Sequence, residues 1–340
     1  MKIIFYNETL MSGGIEKCIE LLTNYLYPQH EIEIIYIDEK KLDPNIVSLL
    51  SKNAKVHKLN EGEQVEGDIC IWCRLYMDYS KLKQQIKVKK NFLWVHSIPQ
   101  EKNNYVLQNP DFLNTVDKII CVSDTIKQLL PAGKEKATVI HNFLPNNIHE
   151  LANSPIAQED VFNSPNSLHF ITVSRLSTGK GFERVLNLVN MLKKHHIPFE
   201  YLVIGKGRAK EQEIRNMFNN IDEVKFLGYK ENPYPYIKKA DYLVQLSDFE
   251  TWGNVITESK YLGTPVITTS YATAYEQVED NVNGIIINLN ETNYEPYLSR
   301  IIHGLHSYKK NLHNFTYKNE IEVWNALITP HNKPQNSSSQ

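Results

Sequence analysis

The stretch Val244–Thr268, VQLSDFETWGNVITESKYLGTPVIT, decides the fold. The apolar run Tyr242–Leu246 that leads into it reads as a strand. A polar loop follows at Ser247–Gly253 and carries Glu250. The spacing then predicts a helix over Asn254–Leu262. Gly263 suits the left-handed stop after its last turn, and Pro265 cannot continue it. A second apolar run, Pro265–Thr268, comes at once. Strand, loop, helix and strand in this order form the repeating element of a parallel α/β sheet.

Three features of this unit carry chemistry. A helix N-terminus presents backbone N–H groups and the positive end of its dipole, which suits a phosphate. Gly253 removes a Cβ where a ligand would approach. Glu250 lies just before that terminus and Glu258 one turn past Asn254, a rise of about 5.4 Å. Two carboxylates on either side of a phosphate suit a ligand with hydroxyls at both ends and a diphosphate between them. The plainer alternative, a surface helix with two solvated glutamates, explains the pair alone but not the glycine or the strand–loop–helix setting.

Composition bounds the rest. The chain has 340 residues, enough for two domains, and 41% of them are hydrophobic, enough for two cores. A net charge of −2 excludes a global basic field for nucleic acid. Four cysteines make no disulfide framework and point to a reducing, cytoplasmic setting. The N-terminal run MKIIFYNETLMSGG lacks the pattern of a signal peptide. No run of about 18 apolar residues is present to span a membrane.

The same strand–loop–helix pattern recurs along the chain. Lys2–Tyr6 leads to Gly13-Gly14 and a helix over Ile15–Tyr27. This loop is either an anion-facing N-terminus or a tight turn that needs glycine. Asp68–Leu75 reads as a buried strand whose Cys70 and Cys73, three apart, point to opposite faces and act structurally. Lys81–Lys90, with five lysines, is either a solvated surface or a contact to anionic lipid. Asn91–Val95 is a strand ending at His96-Ser97-Ile98-Pro99, where open α/β sheets bind ligands. The Asn-, Ser- and Pro-rich segment 146–166 reads as a domain boundary. Leu168–Val173 ends in a loop holding Arg175 and Lys180, a compact anion site that departs from the Walker pattern. Glu200–Ile204 precedes Gly205-Lys206-Gly207-Arg208 and a helix over Ala209–Asn219, half of a dinucleotide fingerprint. Val224–Phe226 is followed by Tyr229.

Glu250 and Glu258, the glycine between them and Gly263-Thr264-Pro265-Val266 together resemble the signature of retaining glycosyltransferases of family 4, which have the GT-B fold. Gly13-Gly14-Ile15-Glu16 is similar to the first glycine loop of that family, and the Arg175–Lys180 loop to its diphosphate-binding loop. The resemblance runs from about Lys2 to Leu327. It implies two Rossmann-like parallel-sheet domains facing an interdomain cleft. The first spans 1–152 and the second 166–315. A helix at 316–328 crosses back to the first, and a disordered tail covers 329–340. It also implies roles. Glu250 would hold donor-sugar hydroxyls and Glu258 the ribose. The amides within Thr251, Trp252, Gly253, Asn254 and Val255 would hold the distal phosphate. Arg175 and Lys180 would neutralise the diphosphate, with Gly13, Gly14 and His96 beside the donor. Gly205 and Gly207 would line the nucleotide side, and Tyr229 would lie near the base.

The expected reaction moves a hexose or N-acetylhexosamine from a UDP-sugar to a glycan or lipid-linked acceptor, with retention. No metal or other cofactor and no nucleic acid is expected. The expected place is the cytoplasm, with contact to the inner membrane face through Lys81–Lys90. Asp248-Phe249-Glu250 mimics an acidic metal triplet, but Glu250 is better used on sugar hydroxyls. A nucleotide-sugar 2-epimerase and a non-catalytic nucleotide-sugar-binding protein are the rival readings. An oxidoreductase lacks its complete fingerprint.

Overall fold

The computed structural model describes residues 1–75, 79–98, 107, 109–207 and 209–329. Pro99, Arg208 and all but Thr329 of the tail expected to be disordered over 329–340 lie outside the described residues. The chain divides into two compact units, one of Met1–Phe143 with Asn319–Gln340 and one of Leu144–Lys318.

The first unit is a seven-stranded sheet. Its strands are β1 (Lys2–Asn7), β2 (Glu31–Tyr36), β3 (Lys55–Lys58), β4 (Val65–Arg74), β5 (Ile86–Val95), β6 (Lys118–Cys121) and β7 (Ala137–Val139). They lie in the order β3-β2-β1-β4-β5-β6-β7, and every pairing is parallel. Strands covered on both faces must be apolar throughout. Ile3, Ile4, Phe5 and Tyr6 of β1 meet this demand with no exposed surface.

The second unit holds β8 (Leu168–Val173), β9 (Phe199–Ile204), β10 (Val224–Gly228), β11 (Tyr242–Gln245), β12 (Val266–Thr269) and β13 (Gly284–Ile287). Their order is β10-β9-β8-β11-β12-β13, again all parallel. Two apolar cores form. One is centred on Phe170, Val244 and Ile267, the other on Ile171, Leu243 and Val266. Neighbours in a strand face opposite ways, so each strand feeds both cores.

Each sheet reverses its direction of growth once, between β1 and β4 and between β8 and β11. Loops at the C-terminal ends of such a pair diverge to opposite faces and leave a crevice where ligands bind. The loop after β8 holds Arg175 and Lys180, and the loop after β11 holds Glu250. Strand order alone therefore brings these residues together across some seventy positions of sequence.

Several boundaries differ from expectation. The segment 144–152 packs in the second unit, where Leu144, Ile148 and Ala152 join its core. Strand β5 begins at Ile86, so Lys87, Lys89 and Lys90 belong to it and lie away from the edge that carries His96. The helix expected over Ala209–Asn219 spans only Glu211–Asn216. The last helix is Ile321–Ile328, within the first unit. Its Trp324 is fully buried with its ring 4.7 Å from that of Trp94. No helix among the described residues is long and apolar enough to cross a membrane.

Candidate functional site

The centre of the second unit's site is Glu250. Its Oε1 accepts from Lys180 Nζ at 2.7 Å, Gln245 Nε2 at 2.6 Å and Ser247 Oγ at 2.8 Å. Three donors on one oxygen fix the carboxylate and leave Oε2 for a ligand. The Lys180–Glu250 pair is partly buried, with side chains 18% and 16% exposed. A hydrogen bond to a charged group in such a setting contributes about 1.5–3 kcal/mol. Sequence reasoning found both residues but not their bond, and it missed Gln245 and Ser247. Gln245 ends an apolar strand with its side chain only 4% exposed as a residue, a buried amide that calls for a polar partner.

The loop bearing Lys180 is held tightly. Gly179 O accepts from Asp248 N at 2.9 Å, which joins the β8 and β11 loops by their backbones. Gly181 has φ +69°, and a Cβ there would stand 1.7 Å from Leu246 O, so only glycine fits. Arg184, one turn into the following helix, donates to Leu246 O at 3.1 Å and to Asp248 Oδ1 at 2.7 Å. Asp248 and Glu250, the two carboxylates of the acidic triplet, are thus each bonded to a cation. Arg175 is exposed, and its guanidinium has no hydrogen bond or ion pair among the described residues.

Gly205 and Gly207 follow β9. A Cβ at Gly205 would meet Ser174 O at 1.8 Å, and one at Gly207 would meet Leu176 O at 2.2 Å. Their immediate work is therefore to let this loop lie against the backbone of the Arg175 loop, where Leu176 N bonds Lys206 O at 3.0 Å. Tyr229, after β10, is 46% exposed, with Lys206 Nζ 5.7 Å from its ring centroid.

The helix predicted after Glu250 spans Asn254–Tyr261, with Gly253 at its cap. The Gly253 N–H donates to Gln277 Oε1 at 3.0 Å, so this amide does not face a phosphate in this structure. Thr251 and Trp252 are partly exposed in the loop before it. Glu258 is 9% exposed, and Tyr234 Oη lies 3.4 Å from its Oε1. Thr273 Oγ1 donates to Glu250 O at 2.6 Å and closes the loop from below. Gln277 and Thr273 carried no motif that sequence reading could have used.

The first unit has its own cluster at the β1–β4 switch. Gly13 caps and Gly14 opens the helix Gly14–Leu26. A Cβ on Gly13 would lie 3.0 Å from Glu16 Oε2. Glu16 is 2% exposed, and its Oε1 accepts from Asn7 Nδ2 at 3.1 Å and Arg74 Nη1 at 3.0 Å. Arg74 Nη1 also donates to Thr9 Oγ1 at 2.6 Å. Arg74 ends an apolar strand and was read only as part of it. The sheet order puts it beside the glycine loop. His96 follows β5 and is 9% exposed, its ring 4.4 Å from that of Trp94. Burial, with a smaller contribution from the Arg74 charge, pushes its pKa down to about 3, so the imidazole is neutral near pH 7. Arg74, His96, Ser97 and Leu107 line a cavity of about 30 Å³, room for a water or two. Cys70 and Cys73 are buried free thiols, held protonated by desolvation.

The chain is similar to several known proteins. A transferase of Campylobacter jejuni that adds N-acetylgalactosamine to N-acetylgalactosamine-N,N'-diacetylbacillosaminyl-diphospho-undecaprenol is 22% identical over 86% of this chain and 87% of its own. A second C. jejuni enzyme, an α-1,4-N-acetylgalactosaminyltransferase named for a GalNAc-containing diphospho-undecaprenol substrate, is 24% identical over 84% of each chain. The crystal structure of Anabaena HepE in complex with UDP and glucose superposes with a TM-score of 0.72 at 19% identity, covering 96% of this chain and 98% of HepE. Residues 156–320, which contain every site residue of the second unit, match the family of glycosyl transferases, group 1. With both parallel sheets in place and that match over the Lys180–Glu250 loops, the chain is a group 1 glycosyltransferase of the GT-B fold.

Proposed function

We propose that this enzyme belongs to the retaining family 4 of these transferases. In this reading it moves an N-acetylhexosamine or hexose from a UDP-sugar to a hydroxyl of a lipid-diphosphate-linked glycan, without a metal. The observation that carries it is the Glu250 carboxylate, fixed by Lys180, Gln245 and Ser247 at the switch between β8 and β11. The diphospho-undecaprenol substrates named for the two Campylobacter relatives support the acceptor class. The UDP and glucose in the HepE crystal support the donor.

Cleavage of the donor builds negative charge on the leaving diphosphate. Arg175, Lys180 and the amides of the first turn after Gly253 are the groups to stabilise it. Lys180 would pass from Glu250 to a phosphate oxygen as the donor enters, while Gln245 and Ser247 keep Oε1 and Oε2 takes a sugar hydroxyl. Glu258 takes the ribose and Tyr229 the base, with Gly205 and Gly207 shaping the loop beside them. With Asp248 and Glu250 both paired to cations, the protein supplies the charge a metal would otherwise bring. In the first unit, neutral His96 and the Gly13-Gly14 loop serve the reacting end of the donor. His96 can donate or accept a hydrogen bond without adding charge. Lys81, Lys83 and Lys87 are exposed and have no ion-pair partner among the described residues. They are the groups to hold the enzyme to an anionic membrane surface, each adding about 1 kcal/mol.

The test is a panel of UDP-sugars with a lipid-diphosphate-linked glycan, run with and without EDTA, with the product linkage read by NMR. An α-linked product from an α-linked donor, undiminished by EDTA, is expected. Full loss with EDTA would sink the metal-free mechanism. An isomerised donor formed without acceptor would replace transfer by epimerisation.

A further inference from the structure

The helix that carries Glu258 also buries a cation that the proposed reaction does not use. Lys260 is 7% exposed. Its ammonium donates to the main-chain carbonyl of Gln277 and stands 4.3 Å from the centroid of the Phe315 ring. Gln277, itself 5% exposed, reaches back along the helix. Its Oε1 accepts from Gly253 N at 3.0 Å, and its Nε2 donates to Gly253 O and to Thr257 Oγ1, both at 3.0 Å. Lys260 near the helix end thus anchors the backbone of the residue whose side chain grips the helix start. Phe315 lies in the segment by which the chain leaves the second unit at Lys318.

We propose that Lys260 is a positioning residue for the donor site, holding Gln277 where it clamps Gly253 and tying that clamp to Phe315. The proposal rests on the reading of Gly253–Glu258 as the nucleotide-diphosphate site. An apolar side chain of equal length would fill the space without removing a charge from water. Only the ammonium can both bond the Gln277 carbonyl and face the Phe315 ring.

Burial pushes the Lys260 pKa down to about 8, with Glu279 opposing. Of the elements packed on this helix, β11 and β12 bring no charged side chain, and the helix Tyr234–Lys239 turns Lys238 and Lys239 to solvent. Glu276, in the short helix of Gln277, is partly exposed. The ammonium is therefore lost as pH rises through about 8, and the clamp loosens with it.

The test uses the full chain, UDP as ligand and calorimetry at about pH 7 and about pH 9.5, a window in which the terminal phosphate of UDP stays ionised. Wild-type affinity should fall about tenfold across the window, the loss of one charge-assisted hydrogen bond transmitted to the site. Lys260→Met should bind about tenfold more weakly at the lower pH, stay flat to the higher, and melt no lower than wild type. Lys260→Arg should recover part of the lost affinity. Amide exchange over 251–257 in the ligand-free protein should quicken in Lys260→Met. Unchanged affinity and exchange in that variant would overturn the proposal. If wild type binds no UDP, the donor reading fails, and the exchange measurement alone decides the clamp. If Lys260→Met does not fold, the wild-type pH dependence decides, and a flat profile overturns it.

Discussion

Replacing Gly181 by alanine tests whether the β8 loop must sit where it does. The ideal Cβ would lie 1.7 Å from Leu246 O and 2.6 Å from the carbonyl carbon. Real Cβ atoms stay beyond 3.0 Å, so the backbones must part by at least 1.3 Å, the difference between 3.0 and 1.7 Å. Leu246 O cannot retreat freely, because Arg184 Nη1 bonds it and Ser247 next to it bonds Glu250. The displacement therefore falls on Lys180 and its bond to Glu250. The left-handed backbone alone, φ +69°, costs about 1–2 kcal/mol in a non-glycine residue. Relief of the clash raises the total to about 2–3 kcal/mol, which lowers the melting temperature by about 4–12 °C in a domain of this size. A misplacement near 1 Å in a catalytic constellation costs about 100-fold in rate. Gly181→Ala should stay folded, melt lower by that amount, and lose about 100-fold in kcat/KM for sugar transfer. Gly62→Ala is the control, because Gly62 has φ +78° with nothing within 4 Å of its Cβ. It should show strain without loss of activity. Wild-type turnover in folded Gly181→Ala would refute the link between this backbone contact and the site.

Two further outcomes follow from the same contacts. Glu250→Ala should cut sugar transfer by about 100-fold or more while UDP affinity changes by only a few-fold, because its carboxylate is assigned to the sugar and not to the nucleotide; equal losses in both would reassign it. His96 has a folded pKa of about 3, so between its ordinary value of 6.5 and that point the unfolded chain takes up a proton that the native chain does not. Stability should therefore fall as the pH is lowered from about 6.5 towards 3, by up to about 1.4 kcal/mol per pH unit from this group. Acid melts of wild type and His96→Asn should diverge below about pH 6.5. Parallel curves would show that the imidazole is hydrated.

What was legible in the sequence and what was not divides on physical grounds. Loops that must bend and bind use glycine and charge, so Gly13-Gly14, the Arg175–Lys180 loop and Glu250 stood out. Residues that serve the site from inside regular elements did not. Arg74 ends the apolar run of β4, and Gln245 ends β11. Both look like strand termini until the sheet order places them at a switch point. Gln277 was silent for another reason. Its partner Gly253 is 24 residues away, and a side chain that satisfies a helix cap at that distance leaves no local pattern. The early start of β5 was hidden by lysine. Lys89 bonds Asp68 at 2.6 Å while Ile86 and Val88 point inward, so the strand alternates where composition suggested only a charged surface. The extent of the first domain was misjudged because Leu144, Ile148 and Ala152 sit in a polar stretch whose few apolar residues all face the second core.

The division of the chain bears on how it can be made. The second unit is one unbroken run, 144–318, whereas the first consists of 1–143 and whatever follows 318. Trp94 is 1% exposed, and the fully buried Trp324 packs on it. At ordinary rates of synthesis of about 5–20 residues per second, the indole face of Trp94 waits about ten to fifty seconds for its cover. In that interval the second unit is made in full, while the first has all of its strands but not the helix Ile321–Ile328. Assembly on the ribosome therefore closes the second domain first, and the helix Ile321–Ile328, made after it, completes the unit that holds β1–β7.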